Sequence, residues 1–173
     1  GDAVAVARDS AAPVVAAFEL CEWLRQKGVA HLQPMNKGGT QQVAGLAVTM
    51  TDARHSSGFT DDGRMIYMGE PAGFVVKLED GTTVYHAGDT SLFGDMRLIG
   101  EMYRPDIAFL PIGDRFTMGP EAAGKACELL GVRQAVPMHF GTFPLLTGTV
   151  AEFKTHVPAG VQVLELQPGE TSE

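Results

Sequence analysis

The chain has 173 residues, of which 45% are hydrophobic and 20% charged, so it suits one soluble globular domain with a sizeable core. Its 21 acidic and 13 basic residues give a formal charge of −8, which is unfavourable for binding a nucleic-acid backbone. The sequence contains neither an apolar run near the ~20 residues of a membrane span nor a signal-peptide pattern, so we expect a cytoplasmic protein without a membrane partner.

The first half of the chain favours strands in hairpins after two helices. In chain order, periodicity and turn residues predict a helix over 1–9, a buried strand over 12–17, an amphipathic helix over 18–28, two strands around Gly45, and a hairpin over 71–89 that turns at Asp80-Gly81. Residues 57–70 are rich in glycine and charge and lack a clean period. They predict a long mobile loop that carries function.

Strands and helices alternate in the second half. The pattern predicts a helix over 92–103, a strand over 105–113, a helix over 119–131, a strand over 134–140, a short helix over 149–157 and a last strand over 161–166. The fold class is therefore α/β (α+β), with antiparallel hairpins first and βαβ-like units after, in a single domain over 1–173. Cys21 and Cys127 fall in helical segments, and we expect buried reduced thiols.

Three predicted strands end close to a side chain that can bind a metal. The segment "VTMTDARHS" ends near His55, "TVYHAGD" ends at Asp89, and "QAVPMHF" ends at His139. Open α/β sheets place their sites beyond strand ends, where loops converge. Two imidazoles and a carboxylate suit Zn²⁺, Fe²⁺ or Mn²⁺. The alternative is that all three are ordinary turn residues, since Gly-Asp-Thr is also common turn and helix-cap chemistry.

The segments "HAGDT", "PDIAFLPIG", "FTMGPEAA" and "VPMHFGTFP" resemble the metallo-β-lactamase superfamily, and within it a family of metal-dependent hydrolases related to ascorbate-6-phosphate lactonase. The resemblance implies an αββα sandwich and a site for two divalent metal ions, most often zinc, with manganese or iron as alternatives. It implies His55 as a ligand of one ion, His139 as a ligand of the other, and Asp89 as the catalytic residue that bridges both.

The chain departs from that pattern in its first part. The superfamily's His-x-His-x-Asp-His motif is missing, and the sequence opens on the Gly-Asp and helix that follow the motif in relatives. We therefore expect a sandwich that lacks its first strands, a metal site with three of the seven ligands that the resemblance implies, and weak metal binding by this chain alone. An exposed apolar face would also favour a homo-oligomer.

Four other residues are candidates for supporting roles. His86 lies inside a strand three residues before Asp89, so we expect it to support the ligands from behind or to pack. Arg115 and Thr117 precede a predicted helix N-terminus and are candidate contacts for an anionic substrate, although a plain turn explains them as well. Tyr67, in the predicted loop, is a third candidate substrate contact.

The resemblance implies a metal-dependent hydrolase that uses a metal-bound hydroxide on an ester, lactone or phosphodiester of a small-molecule substrate. Within the same superfamily, an RNA-processing metallonuclease is the alternative, which the acidic charge disfavours. A non-catalytic domain with an incomplete metal site is the third interpretation.

Overall fold

The computed structural model describes residues 2–171 and contains five helices and eleven strands within that range. The helices are α1 (Ala3–Ser10), α2 (Phe18–Gln26), α3 (Met96–Tyr103), α4 (Pro120–Leu130) and α5 (Val150–His156). The strands are β1 (Val14–Ala17), β2 (Leu32–Met35), β3 (Thr40–Val43), β4 (Leu46–Asp52), β5 (Gly58–Asp61), β6 (Arg64–Tyr67), β7 (Ala72–Lys77), β8 (Thr83–His86), β9 (Ile107–Pro111), β10 (Gln134–Met138) and β11 (Gln162–Val163). No helix in the described range is both long and apolar enough to cross a membrane.

Seven strands form one mixed sheet in the order β11-β10-β9-β8-β7-β4-β3. Strands β8 to β11 are parallel, whereas β7 is antiparallel to both β8 and β4. Strand β4 therefore runs in the same direction as β8, β9 and β10, and all four reach their carboxyl ends at one edge of the sheet. We call this edge the carboxyl edge.

Helices α3, α4 and α5 supply most of the apolar cover of this sheet. The fully buried side chains include Tyr85 and Leu110 from the strands, Met96 from α3 and Phe153 from α5. Burying a large side chain of this kind contributes about 1.5–3 kcal/mol. The parallel strands are thus held in place by a packed helical layer.

A second, two-stranded sheet pairs β1 with β2 in parallel and packs with α1 and α2 around Ala7, Leu24 and Val29. An apolar cavity of about 420 Å³ has Val15 of this sheet and Phe74 of the large sheet in its lining.

The predicted elements are largely present, with four corrections. Residues 57–70 are not a loop, because they contain the β5–β6 hairpin, which turns at Asp62 and Gly63 with φ of 46° and 74°. Strand β2 was not predicted at all. Helix α3 begins at Met96 rather than at residue 92, and the last strand covers only Gln162–Val163 of the predicted 161–166. Residue 1 of the first predicted helix lies outside the described residues.

The cysteine prediction is confirmed, since Cys21 and Cys127 are both buried and free. Burial raises the pKa of Cys127 to about 12 and also raises the pKa of Cys21. Both therefore stay protonated and unreactive at neutral pH.

Candidate metal centre

Asp89 and His139 meet at the carboxyl edge. Asp89 follows β8 and His139 directly follows β10, and the distance between His139 Nε2 and Asp89 Oδ2 is 3.6 Å. The Asp89 side chain is 49% exposed and that of His139 is 27% exposed. The two atoms are too far apart for a direct hydrogen bond, but a carboxylate and an imidazole at this separation can both reach a shared cation.

The second ring nitrogen of His139 has an unusual environment. Nδ1 is buried and has no hydrogen-bond partner among the described residues. A buried polar atom without a partner costs free energy, and native structures keep few of them. The His139 backbone is also in the left-handed region, with φ of 54°, which is uncommon for a residue with a side chain. Both features are typical of a residue held for function rather than for stability.

His55 lies on the neighbouring loop, three residues beyond the end of β4. Its ring is exposed, and its Nδ1 lies 2.7 Å from the Ser56 carbonyl oxygen. This contact fixes Nδ1 as the protonated nitrogen and leaves Nε2 with a free lone pair, the arrangement typical of a metal-binding histidine. Within residues 2–171, however, no three histidine, cysteine or acidic side chains lie close enough together to hold a metal ion. The side chain of His55 is thus not joined to the Asp89–His139 pair.

Thr90 connects the loops of the carboxyl edge, a role the sequence did not indicate. It is fully buried; its Oγ1 accepts a hydrogen bond from Arg54 N at 2.9 Å and donates one to Ser91 O at 2.8 Å. Ser91 N donates to Arg54 O, and Met118 N donates to Thr90 O, both at 3.0 Å. The residue after Asp89 therefore binds the backbone next to His55 and the end of the loop that follows β9.

A close backbone contact fixes the His139 side of the edge. A Cβ placed on Gly113, the second residue after β9, would overlap the carbonyl oxygen of His139. Ile112 N donates to Met138 O at 3.0 Å in the same region. Gly113 thus allows the loops after β9 and β10 to lie in direct backbone contact.

His86 is the last residue of β8 and precedes Asp89 by three residues. Its ring stacks on Phe109, with centroids 5.7 Å apart and 18° between the planes. Gly88 N donates to its Nδ1 at 3.2 Å, which places the ring proton on Nε2. Partial burial of the ring lowers the pKa of His86, and the nearby charge of Asp89 opposes that shift. His86 is thus neutral at neutral pH and keeps a donor at Nε2.

The three candidate substrate contacts occupy different positions. Arg115 is exposed on the loop after β9, and Thr117 of the same loop is partly buried. Tyr67 lies on β6 and its hydroxyl donates to Glu70 at 3.2 Å. No hydrogen bond or ion pair of the described residues links Tyr67 to Asp89 or His139.

An ion-pair network beside His55 was also not predicted. Lys37 bonds to Asp52, and Arg54 Nε lies 3.0 Å from the other Asp52 oxygen. Asp52, His55 and Glu70 line an open depression of about 440 Å³. Burial raises the pKa of Asp52, but the two cations outweigh this and leave it below its ordinary value. Asp52 is therefore an ionised partner of cations rather than an available metal ligand.

A family model described as the beta-lactamase superfamily domain matches residues 2–140. The chain belongs to the beta-lactamase superfamily. Its curated relatives in this superfamily include a UPF0173 metal-dependent hydrolase from Rubrobacter xylanophilus, 53% identical over 173 residues, which cover 98% of this chain and 72% of the relative. A UPF0173 metal-dependent hydrolase from Koribacter versatilis is 50% identical over 171 residues, covering 99% and 73%.

Solved structures of the superfamily agree with the fold. Igni18, a metallo hydrolase from Ignicoccus hospitalis, superposes with a TM-score of 0.86 at 39% identity, covering 99% of this chain and 72% of the other. An isothiocyanate hydrolase from Delia radicum gut bacteria has a TM-score of 0.68 at 20% identity, covering 96% and 70%, a likeness of fold alone. The predicted family and fold class are confirmed.

The donor chemistry of this edge fits a divalent ion. Asp89 offers a hard carboxylate, His139 offers a ring with an unpartnered nitrogen, and His55 offers a free Nε2 on an adjoining loop. Zn²⁺, Mn²⁺ and Fe²⁺ accept such mixed oxygen and imidazole ligands.

Proposed function

We propose that this chain carries part of the active site of a metal-dependent hydrolase that cleaves an ester, lactone or phosphodiester bond in a small-molecule substrate. The observation that carries the proposal is the Asp89–His139 pair, 3.6 Å apart where parallel strands end together. The relatives named metal-dependent hydrolases support the reaction type.

Asp89, His55 and His139 would supply three of the ligands of two divalent ions, zinc in the first instance and manganese or iron as alternatives, in a site that this chain completes only in part. Such ions polarise a carbonyl or phosphoryl oxygen and lower the pKa of water toward neutrality. Asp89 would contact both ions, while His55 and His139 would each hold one. Thr90 keeps the two ligand loops in register through its bond to Arg54 N.

The remaining residues would act on the substrate or on protons. Arg115 is exposed and permanently charged, so it can bind an anionic group, and Thr117 and Tyr67 are further candidate contacts. His86 carries its ring proton on Nε2 and would donate a hydrogen bond from it in support of the ligand loop after β8.

Metal content tests the proposal without depending on turnover. We would load the protein with Zn²⁺, dialyse it, and measure bound metal in the wild type and in Asp89→Asn, His139→Asn and His55→Asn. Each change removes a ligand without adding bulk, and Asp89→Asn is also isosteric, so we expect the apparent metal Kd to rise by about tenfold or more. Asp95→Asn and His31→Asn alter an exposed carboxylate and an exposed imidazole elsewhere, and should retain wild-type binding.

Hydrolysis is then assayed with a generic phosphodiester and a lactone, with each ligand variant expected to lose whatever activity the wild type has. If Asp89→Asn and His139→Asn bind as much metal as the controls, the ligand assignment is wrong.

A further inference from the structure

Two exposed phenylalanines face each other beside the candidate metal centre. Phe116 and Phe143 are 47% and 45% exposed, and their ring centroids are 6.3 Å apart at an angle of 47°. They belong to separate loops, which follow β9 and β10. Two large apolar rings that stay exposed to water do not gain the free energy of burial. An exposed aromatic pair therefore indicates a surface that contacts a ligand or a partner.

Both loops are attached to the candidate ligands. Phe143 is four residues beyond His139, and Gly113 brings the start of the other loop against the His139 carbonyl. The far end of that loop is held by the hydrogen bond from Met118 N to Thr90 O. The loops that carry the aromatic pair are therefore anchored to the backbone around Asp89 and His139.

Arg115 adds a positive charge to this surface. Its guanidinium carbon lies 5.6 Å from the centre of the Phe116 ring, within cation–π range. Its side chain forms no hydrogen bond or ion pair with any residue in the range 2–171. A guanidinium held on a ring keeps its planar fork of donors open for a carboxylate or phosphate.

The neighbouring carboxylate does not neutralise Arg115. Asp114 packs against Gly119, the N-cap residue of α4, where a negative charge is favoured by the helix dipole. Asp114 and Arg115 both have left-handed backbones, with φ of 64° and 58°. This turn directs the two charged side chains to different neighbours, the helix end and the aromatic ring.

We propose that Arg115, Phe116 and Phe143 form a recognition lip that selects substrates in which an anionic group adjoins an aromatic or similarly flat apolar group. The inference rests on the proposed function, because it takes the bond to be cleaved to lie over Asp89 and His139. Arg115 binds the anion, and the two rings contact the flat group from either loop.

Calorimetric titration tests the lip with phenylphosphonate, methylphosphonate and benzyl alcohol as probes. Phenylphosphonate carries both features, while each of the others carries one. We expect phenylphosphonate to bind about tenfold more tightly than methylphosphonate, and benzyl alcohol to bind more weakly than either.

Variants separate the two parts of the lip. Arg115→Gln should raise the Kd of both phosphonates about tenfold, whereas Phe116→Leu and Phe143→Leu should raise only that of phenylphosphonate, by about three- to tenfold. The matched controls are Arg97→Gln, an exposed arginine of α3, and Phe18→Leu, a phenylalanine that is 54% exposed at the start of α2. Both controls should bind like the wild type.

Equal affinity for the two phosphonates, or unchanged binding in Arg115→Gln, would refute the proposal that the recognition lip selects the substrate. The titrations are run with and without Zn²⁺, and phosphonate binding that requires zinc but not Arg115 also counts against it. Failure of the proposed function has a different signature, because it appears as metal content that is independent of Asp89 and His139.

Discussion

The polar groups at the two ends of the parallel strands differ in how they are paired. We call the end at which β8, β9 and β10 begin the amino edge, opposite the carboxyl edge. At the amino edge, Asp106 accepts a hydrogen bond from Thr83 N at 2.9 Å and pairs with Arg133, while its carbonyl accepts from Arg133 N and Gln134 N. At the carboxyl edge, Asp89 is half exposed and His139 keeps a buried nitrogen without a partner among the described residues.

Left-handed backbones occur at both edges: in Asp114, Arg115 and His139 at the carboxyl edge, and in Arg104, two residues before Asp106, at the amino edge. At the carboxyl edge, however, one of these residues is a candidate ligand. Such strain and unsatisfied polar atoms persist only where the surrounding structure enforces them. The comparison indicates that the paired polar groups of the amino edge contribute to stability. The carboxyl edge has a rigid backbone, but its polar side chains remain available to bind a ligand.

The largest expected effect comes from the backbone contact beneath His139. Gly113→Ala places a methyl group against the His139 carbonyl, so we expect a loss of about 3 kcal/mol in the free energy of unfolding. The measurement is denaturant unfolding monitored by circular dichroism. Gly94→Ala is the control, because a Cβ at Gly94 meets no atom within 4 Å. Equal stability of the two variants would show that the carboxyl edge is not rigidly built.

Thr90→Val tests whether the loops depend on one hydroxyl. It keeps the side-chain shape but removes the acceptor for Arg54 N and the donor to Ser91 O, so we expect a loss of about 2 kcal/mol in stability. We also expect the metal Kd to rise by about tenfold, while Thr90→Ser restores both. Thr82→Val, in the partly exposed turn before β8, should leave the metal Kd unchanged. If Thr90→Val is as stable as the wild type and binds metal equally well, the Thr90 hydroxyl does not hold the ligand loops together.

The smallest effect is the pH dependence of the amino edge. The hydrogen bond from Thr83 N and the Arg133 partner hold the pKa of Asp106 below its usual value. A lowered folded pKa adds stability above the unfolded value, near 3.9, and that stability is lost as the pH falls through the folded value. We expect Asp106→Asn to reduce the acid-side slope of the unfolding free energy below about pH 4 relative to the wild type. An identical slope in the wild type and in Asp106→Asn would show that the Asp106 contacts do not stabilise the amino edge.

The sequence predicted the strands that carry the candidate site because their apolar runs are unambiguous. It missed the β5–β6 hairpin because the apolar residues Met65, Ile66 and Tyr67 are consecutive and do not alternate with polar residues as in a half-buried strand. The Asp62-Gly63 turn was the signal that could have revealed it. Strand β2 was missed because Pro34 interrupts its pattern, and proline is compatible only with an edge strand.

The meeting of Asp89 and His139 at the carboxyl edge could be predicted since each follows an apolar strand, while their role as ligands stays a prediction. The role of Thr90 could not, because its partners Arg54 and Met118 are distant in sequence and come together only in the sheet. The contact between Phe116 and Phe143 could not be predicted either, because it depends on how two loops pack together, and no local sequence pattern indicates that packing.

The β5–β6 hairpin is attached to α2 through the chain's single tryptophan. Trp23 Nε1 donates to Asp61 at 3.0 Å, its ring meets Phe59 edge-on with centroids 5.4 Å apart, and Lys27 lies 5.3 Å from the ring centre. Since no other indole emits, the intrinsic fluorescence of the protein reports on this one junction. Displacement of the hairpin would change the polarity around the indole and shift its emission, so hairpin movement can be followed optically without a label.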